Sequence, residues 1–214
     1  MRSTKIKICG ITNVRDAIFA VANGADALGF NMYKTSPRYV TLETATEIVR
    51  QLPPFVTSVA LLVNHSEKEV KKVIASGVFN LLQFHGDETN DFCASFKKPF
   101  TKVLRVKNVS DLPAEIADFS DSRGILLDTF VEGVYGGTGK KFDWSLLPVI
   151  DKPIVLAGGL SADNVAQAIR QVRPYAVDVS GGVELDKGIK DHMKITDFIR
   201  QVRAADAADK EENT

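Results

Sequence analysis

The sequence is poor in the residues that build metal centres and covalent scaffolds. It has 3 histidines and 2 cysteines among 214 residues, with no CxxC or HExxH pair, so no metal site is expected. Cys9 and Cys93 allow one disulfide at most, which does not make a disulfide scaffold in a chain of this length. An excess of charge of either sign is also missing, since 27 Lys and Arg balance 27 Asp and Glu. Nucleic-acid binders usually carry a basic excess or stripe, so neither nucleic acid nor an anionic membrane is an expected partner. No apolar run approaches the roughly 20 residues of a membrane span. The first residues are basic but lead into no long apolar segment, so no secretory leader is expected. The expected location is the cytoplasm, with both thiols reduced.

What is present is a recurring pattern. Hydrophobic residues make up 44% of the chain, enough for one sizeable core. Short β-branched and apolar runs read as strands at Lys5–Cys9, Asp26–Asn31, Phe55–Val63, Asn80–Phe84, Thr101–Val106, Gly124–Asp128, Ile154–Ala157 and Ala176–Val179. Between them apolar residues recur at helical spacing, as in Val14, Ile18, Val21 and Ala22 or Val165, Ala168, Ile169 and Val172. Thr41 is placed to start one helix, and Ser161 or Asp163 to start another running to Arg173. Gly24 and Gly77 stand where left-handed helix ends are expected. Strands that alternate with helices predict parallel βαβ units. The fold expected is α/β, a single (β/α)₈ barrel over residues 1–203, with 204–214 a fraying helix and disordered tail. An open doubly wound sheet is the alternative, but its glycine-rich loop tends to follow the first strand, and here the glycine pairs come late.

Chemistry-bearing residues gather at strand ends. Cys9 ends the first run and Asp128 the sixth, and in a barrel of this kind strand C-termini form the active face. Gly158-Gly159 follows the seventh run and Ser180-Gly181-Gly182 the eighth. Each pair reads as lying between a strand and a helix, where exposed backbone N–H groups and a helix N-terminus suit a phosphate; the alternative is a pair of tight turns. Gly133–Lys141 reads either as a loop that closes over a ligand or as a solvated linker. Arg38 can hold a carboxylate or phosphate through two parallel hydrogen bonds, or be a surface arginine. His85 is either an acid–base group or a structural donor. Cys93, on a helical apolar face, reads as a buried inert thiol. Alternation places Lys7 on the same face as Cys9, and Asp178 on the same face as Ser180. Closure of the barrel would bring Lys7 against Asp178 beneath the site, with Arg105 also pointing inward; a buried lysine needs such a partner.

Taken together, Lys7-Ile8-Cys9-Gly10-Ile11-Thr12, Ser36-Pro37-Arg38-Tyr39-Val40, His85-Gly86-Asp87-Glu88, Leu126-Leu127-Asp128, Gly136-Gly137-Thr138-Gly139 with Phe142-Asp143-Trp144, Leu156-Ala157-Gly158-Gly159-Leu160 and Asp178-Val179-Ser180 resemble the phosphoribosylanthranilate isomerase family from about Lys5 to Phe198. One departure is visible: Ser180-Gly181 stands where the family usually has two serines. The resemblance implies an Amadori rearrangement of N-(5-phosphoribosyl)anthranilate in tryptophan biosynthesis, with Cys9 as general base and Asp128 as general acid. It further implies that Arg38 holds the anthranilate carboxylate and the two glycine loops the phosphate, without metal or organic cofactor, in a monomer or homodimer. Competing readings are another sugar-phosphate barrel isomerase or epimerase, and a non-catalytic barrel that binds a phosphorylated ligand.

Overall fold

The computed structural model describes residues 3–106, 108–129, 147 and 150–211. The loop Gly133–Lys141, and the Phe142-Asp143-Trp144 motif after it, lie outside the described residues. Strands β1 (Lys5–Cys9), β2 (Ala27–Asn31), β3 (Thr57–Leu62), β4 (Leu81–Phe84), β5 (Phe100–Val106), β6 (Ile125–Thr129), β7 (Ile154–Leu156) and β8 (Ala176–Val179) form a closed barrel in chain order. Neighbouring strands run parallel, and β1 closes on β8 with Lys5 opposite Ala176 and Lys7 opposite Asp178. Helices α1 (Val14–Ala22), α2 (Leu42–Val49), α3 (Glu67–Ala75), α4 (Asn90–Ser95), α5 (Leu112–Ala117) and α6 (Val165–Val172) connect the strands, and α7 (His192–Glu211) completes the ring.

The two faces of each strand divide the core. Ile6, Ile8, Leu28, Phe30, Leu82 and Phe84 point outward into one cluster with helix residues such as Ala17, Val70, Val165 and Phe198. Each such side chain, fully buried, contributes about 1.5–3 kcal/mol. The inward face holds smaller groups, among them Cys9 with Leu61 and Val63, and Val103 with Leu126 and Ala157. Cys93 on α4 is buried and free, and burial pushes its thiol up to about 12.

Helix ends follow local chemistry. The Thr41 hydroxyl oxygen accepts the Thr44 N–H at the start of α2, while Ser66 and Glu69 form a reciprocal capping box on α3. Gly24 and Gly77 take φ of 108° and 72° just past α1 and α3, the left-handed geometry that lets a helix stop. At α6 the expectation is corrected: Asn164, not Ser161 or Asp163, precedes the helix. Its side chain accepts the Ser161 N–H and donates to the Gly159 carbonyl, tying down the loop after β7.

Two further expectations change. Gly181-Gly182 does not lead directly into a helix. The segment Gly181–Val183 is a 3₁₀ turn, followed by a two-stranded hairpin of β9 (Glu184–Asp186) and β10 (Ile189–Lys190), before α7 begins. The hairpin is pinned from outside its own sequence, since Asp16 on α1 accepts the Lys190 N–H at 2.9 Å and contacts His192 Nε2 at 3.0 Å. At the C-terminus, residue 203 is not the end of an element, because α7 continues unbroken to Glu211. Ala205 is buried, and Asp206 accepts both the N–H and the hydroxyl of Thr4. Among the described residues no helix is long and apolar enough to cross a membrane.

Candidate active site

Because all eight strands run the same way, their C-terminal ends open on one side. A cavity of about 380 Å³ lies there, lined by Cys9, Arg38, His85, Asp128, Gly158, Gly159, Asp178, Ser180, Gly181 and Gly182. That volume suits a small-molecule ligand. Among the described residues, Gln83 Nε2, both ring nitrogens of His85 and Ser180 Oγ are buried here with no hydrogen-bond partner. Buried polar groups are normally paired, so a cluster of unmatched ones facing one cavity marks a surface shaped for a polar ligand. Among the described residues no group of three or more His, Cys, Asp or Glu is placed to hold a metal ion.

Beneath the cavity, Lys7 Nζ lies 2.9 Å from Asp178 Oδ1, an ion pair with both side chains under 10% exposed. Register on adjacent strands creates this contact, as Lys7 and Asp178 face each other across the β1–β8 seam. Gly29 makes room for it. A Cβ at that position would stand 2.7 Å from Cys9 Sγ and 3.1 Å from Lys7 Nζ, so thiol and ammonium share the space over one glycine. Burial pushes the Cys9 thiol up, and the opposing pull of Lys7 does not reverse it. Burial alone would lower Lys7, but the Asp178 carboxylate beside it holds its ammonium above its usual range. Both directions favour a thiol beside a charged lysine in the resting site.

Asp128 enters from β6 and is buried, with His85 Nε2 at 3.4 Å from Asp128 Oδ2. His85 sits at the end of β4 on a loop locked from below. Glu88 accepts from the backbone N–H groups of Asn64 and Gly86 and from Lys102 Nζ at 2.8 Å, and Lys102 also donates to the Gly86 carbonyl. Lys7, beneath the cavity, and Arg105 are the predicted residues that do not join the cavity wall. Arg105 faces inward by register opposite Asp128, but its guanidinium contacts Asp87 at 2.9 Å at the rim.

The two glycine loops meet. Gly158 and Gly159 hold φ of 84° and 68°, conformations that side chains resist. Gly182 packs so closely against the loop after β7 that a Cβ there would fall 1.9 Å from the Leu160 carbonyl oxygen. Both loops thus border the cavity.

Arg38 crosses from the β2–α2 loop toward β8. A Cβ on Gly10 would stand 2.6 Å from Arg38 Cδ, so the side chain passes over the end of β1. Its Nε and Nη2 donate to the two carboxylate oxygens of Glu184 at 2.8 and 2.6 Å. Sequence reasoning found Arg38 but missed Glu184, which follows the Gly-Gly pair without any motif. It also missed Asn31, Ser36 and Gln83, which line the same cavity. Gln83 was recoverable by alternation, two residues before His85.

A family model described as N-(5′-phosphoribosyl)anthranilate (PRA) isomerase matches residues 6–201. The N-(5′-phosphoribosyl)anthranilate isomerase of Pseudomonas fluorescens strain SBW25 is 54% identical over 209 residues, spanning 97% of this chain and all of that one. The crystal structure of phosphoribosyl anthranilate isomerase from Thermotoga maritima superposes with a TM-score of 0.85 at 40% identity, covering 94% of this chain and 99% of the other. A phosphoribosyl anthranilate isomerase in complex with reduced 1-(o-carboxyphenylamino)-1-deoxyribulose 5-phosphate gives a TM-score of 0.81 at 38% identity, with the same coverage.

Proposed function

The chain belongs to the N-(5′-phosphoribosyl)anthranilate isomerase family, and within that enzyme of tryptophan biosynthesis we propose that Cys9 is the general base and Asp128 the general acid. The competing readings of another sugar-phosphate isomerase or a non-catalytic barrel give way to that membership. The observation that supports the assignment is that Cys9 and Asp128, from β1 and β6, line one cavity that the two glycine loops also border.

Asp128 protonates the ring oxygen of the aminoaldose as the C1′–O bond breaks. The nitrogen lone pair forms the C1′=N iminium. Cys9 then takes the C2′ proton, the C–H electrons become the C1′=C2′ bond, and nitrogen recovers its lone pair. The enolamine tautomerises to 1-(2-carboxyphenylamino)-1-deoxyribulose 5-phosphate. Burial pushes the resting Cys9 thiol up, so its proton must pass to solvent before it acts as the base. The iminium formed in the site adds a second positive charge to that of Lys7 and favours the thiolate. His85 faces the Asp128 carboxyl at 3.4 Å. Lys7 and Asp178 lie beneath Cys9, while Arg105 pairs with Asp87 at the rim.

Arg38 receives the anthranilate carboxylate, and the loops at Gly158-Gly159 and Ser180-Gly181-Gly182 receive the phosphate through backbone N–H groups. The protein acts as a monomer or a homodimer, and the cytoplasm suits a thiol base. Cys9→Ala and Asp128→Asn should each lower kcat by about a hundredfold or more. Each should still bind the reduced product analogue, measured by calorimetric titration, near wild-type affinity. Either variant with full turnover would remove that residue from the mechanism.

A further inference from the structure

We propose that Glu184 is the positioning residue for Arg38, holding its guanidinium so that the remaining edge faces the substrate's carboxylate. This rests on the reading that Arg38 is the carboxylate's partner. Arg38 spends Nε and Nη2 on Glu184, and among the described residues Nη1 makes no hydrogen bond. The side chains of Arg38 and Glu184 are 12% and 5% exposed. A guanidinium fixed along one edge presents the other in a defined plane.

An opposite role is conceivable, in which Glu184 imitates the substrate carboxylate and must be displaced. The surroundings of Glu184 argue against it. Its Oε1 also accepts from Lys190 Nζ at 2.9 Å and from the Gly188 N–H at 3.3 Å. Lys194 donates to its backbone carbonyl at 2.8 Å. The carboxylate is thus an anchor held by groups other than Arg38. Were Arg38 to swing away, Oε2 would be left without its partner in a buried site, a costly outcome. Burial would raise the Glu184 carboxyl, yet Arg38 and Lys190 hold it below its usual range, so it stays anionic. Lys190, whose side chain is fully buried, also donates to the Ser180 carbonyl at 3.2 Å, linking this anchor to the phosphate loop.

The test combines Arg38→Ala, Glu184→Gln and the double variant, with KM and kcat measured for each. Glu184→Gln should raise KM about tenfold with kcat within about threefold, since a loosened Arg38 binds poorly but leaves the reacting groups in place. The double variant should be no worse than Arg38→Ala alone. Binding of the reduced product analogue should weaken in Glu184→Gln, whereas the same analogue without its ring carboxylate should bind as to wild type. Equal weakening of both would mean general loosening and overturn the proposal. If orphaned Lys190 unfolds the single variant, Glu184→Gln/Lys190→Met removes both buried charges and is read the same way. KM unchanged or lowered in the Glu184 variants, with Arg38→Ala impaired, overturns the positioning role alone. KM unchanged in Arg38→Ala overturns the carboxylate reading beneath it.

Discussion

Cys9 sits where two forces oppose each other on one proton. Withdrawal from water favours the neutral thiol, and the Lys7 ammonium favours the thiolate; burial prevails in the resting site. The sign of the consequence is fixed. A thiol held above its ordinary value keeps its proton through the pH range where an unfolded cysteine ionises, about 8.5. Its contribution to stability is complete below that value and is lost as pH rises through the folded one. Ultraviolet thiolate absorbance of the free enzyme, differenced against Cys9→Ala, should therefore appear only above pH about 8.5. Ionisation near neutrality would show that Lys7, not burial, governs the resting site. The Lys7–Asp178 contact was legible in the sequence because period-two alternation and barrel closure specify which residues meet. Glu184 was not legible, since its partner Arg38 lies 146 residues away, and only the folded loops bring the two together.

At the scale of elements, the loops after β7 and β8 are one unit rather than two glycine turns. Gly182 allows the backbones to touch, and any side chain there would strike the Leu160 carbonyl. Gly181 faces a different neighbourhood: its nearest groups would be Arg38 Nη2 at 3.5 Å and Glu184 Oε2 at 3.9 Å, ordinary contacts. Two neighbouring glycines thus make opposite predictions. Gly182→Ala should force the loops apart and raise KM by about tenfold or more, because misplacement of about an ångström is expensive at a binding site. Gly181→Ala and Gly181→Ser should keep KM within about threefold. Steady-state kinetics of the three variants decide it, and equal effects at both positions would defeat the argument. Strand runs were legible to within a residue or two, because a strand buried on both faces needs an apolar sequence. The hairpin of β9 and β10 was not, because Asp16 and His192 stabilise it from other elements.

For the whole molecule, the decisive seam is where the ends of the chain meet. A closed barrel has no free edge only if the first strand is held against the last, and α7 holds the start of β1 from outside. Asp206 accepts the Thr4 N–H at 3.0 Å and the Thr4 hydroxyl at 2.6 Å, while Arg203 donates to the Thr4 carbonyl at 2.7 Å. Ala205 packs into the outer cluster with Val202 and Phe198. A chain ending at Arg203 keeps the arginine contact but loses Ala205 and Asp206, leaving the buried Thr4 N–H unmatched. An unsatisfied buried donor costs about 1–3 kcal/mol. The exposed Arg173–Asp209 contact at 3.5 Å adds little when lost. At about 2–4 °C per kcal/mol for a domain of this size, truncation after Arg203 should lower Tm by about 3–10 °C. Asp206→Ala in the full chain should reproduce much of that loss. These contacts lie at the N-terminal end of β1, whereas Cys9 lines the cavity at the opposite end of the strand, so kcat well below the transition should stay near wild type. Calorimetry beside an activity assay separates the outcomes. A Tm that does not move would show that α7 beyond Arg203 is not what closes the barrel, and a fall in kcat at low temperature would show that the two ends of β1 are coupled.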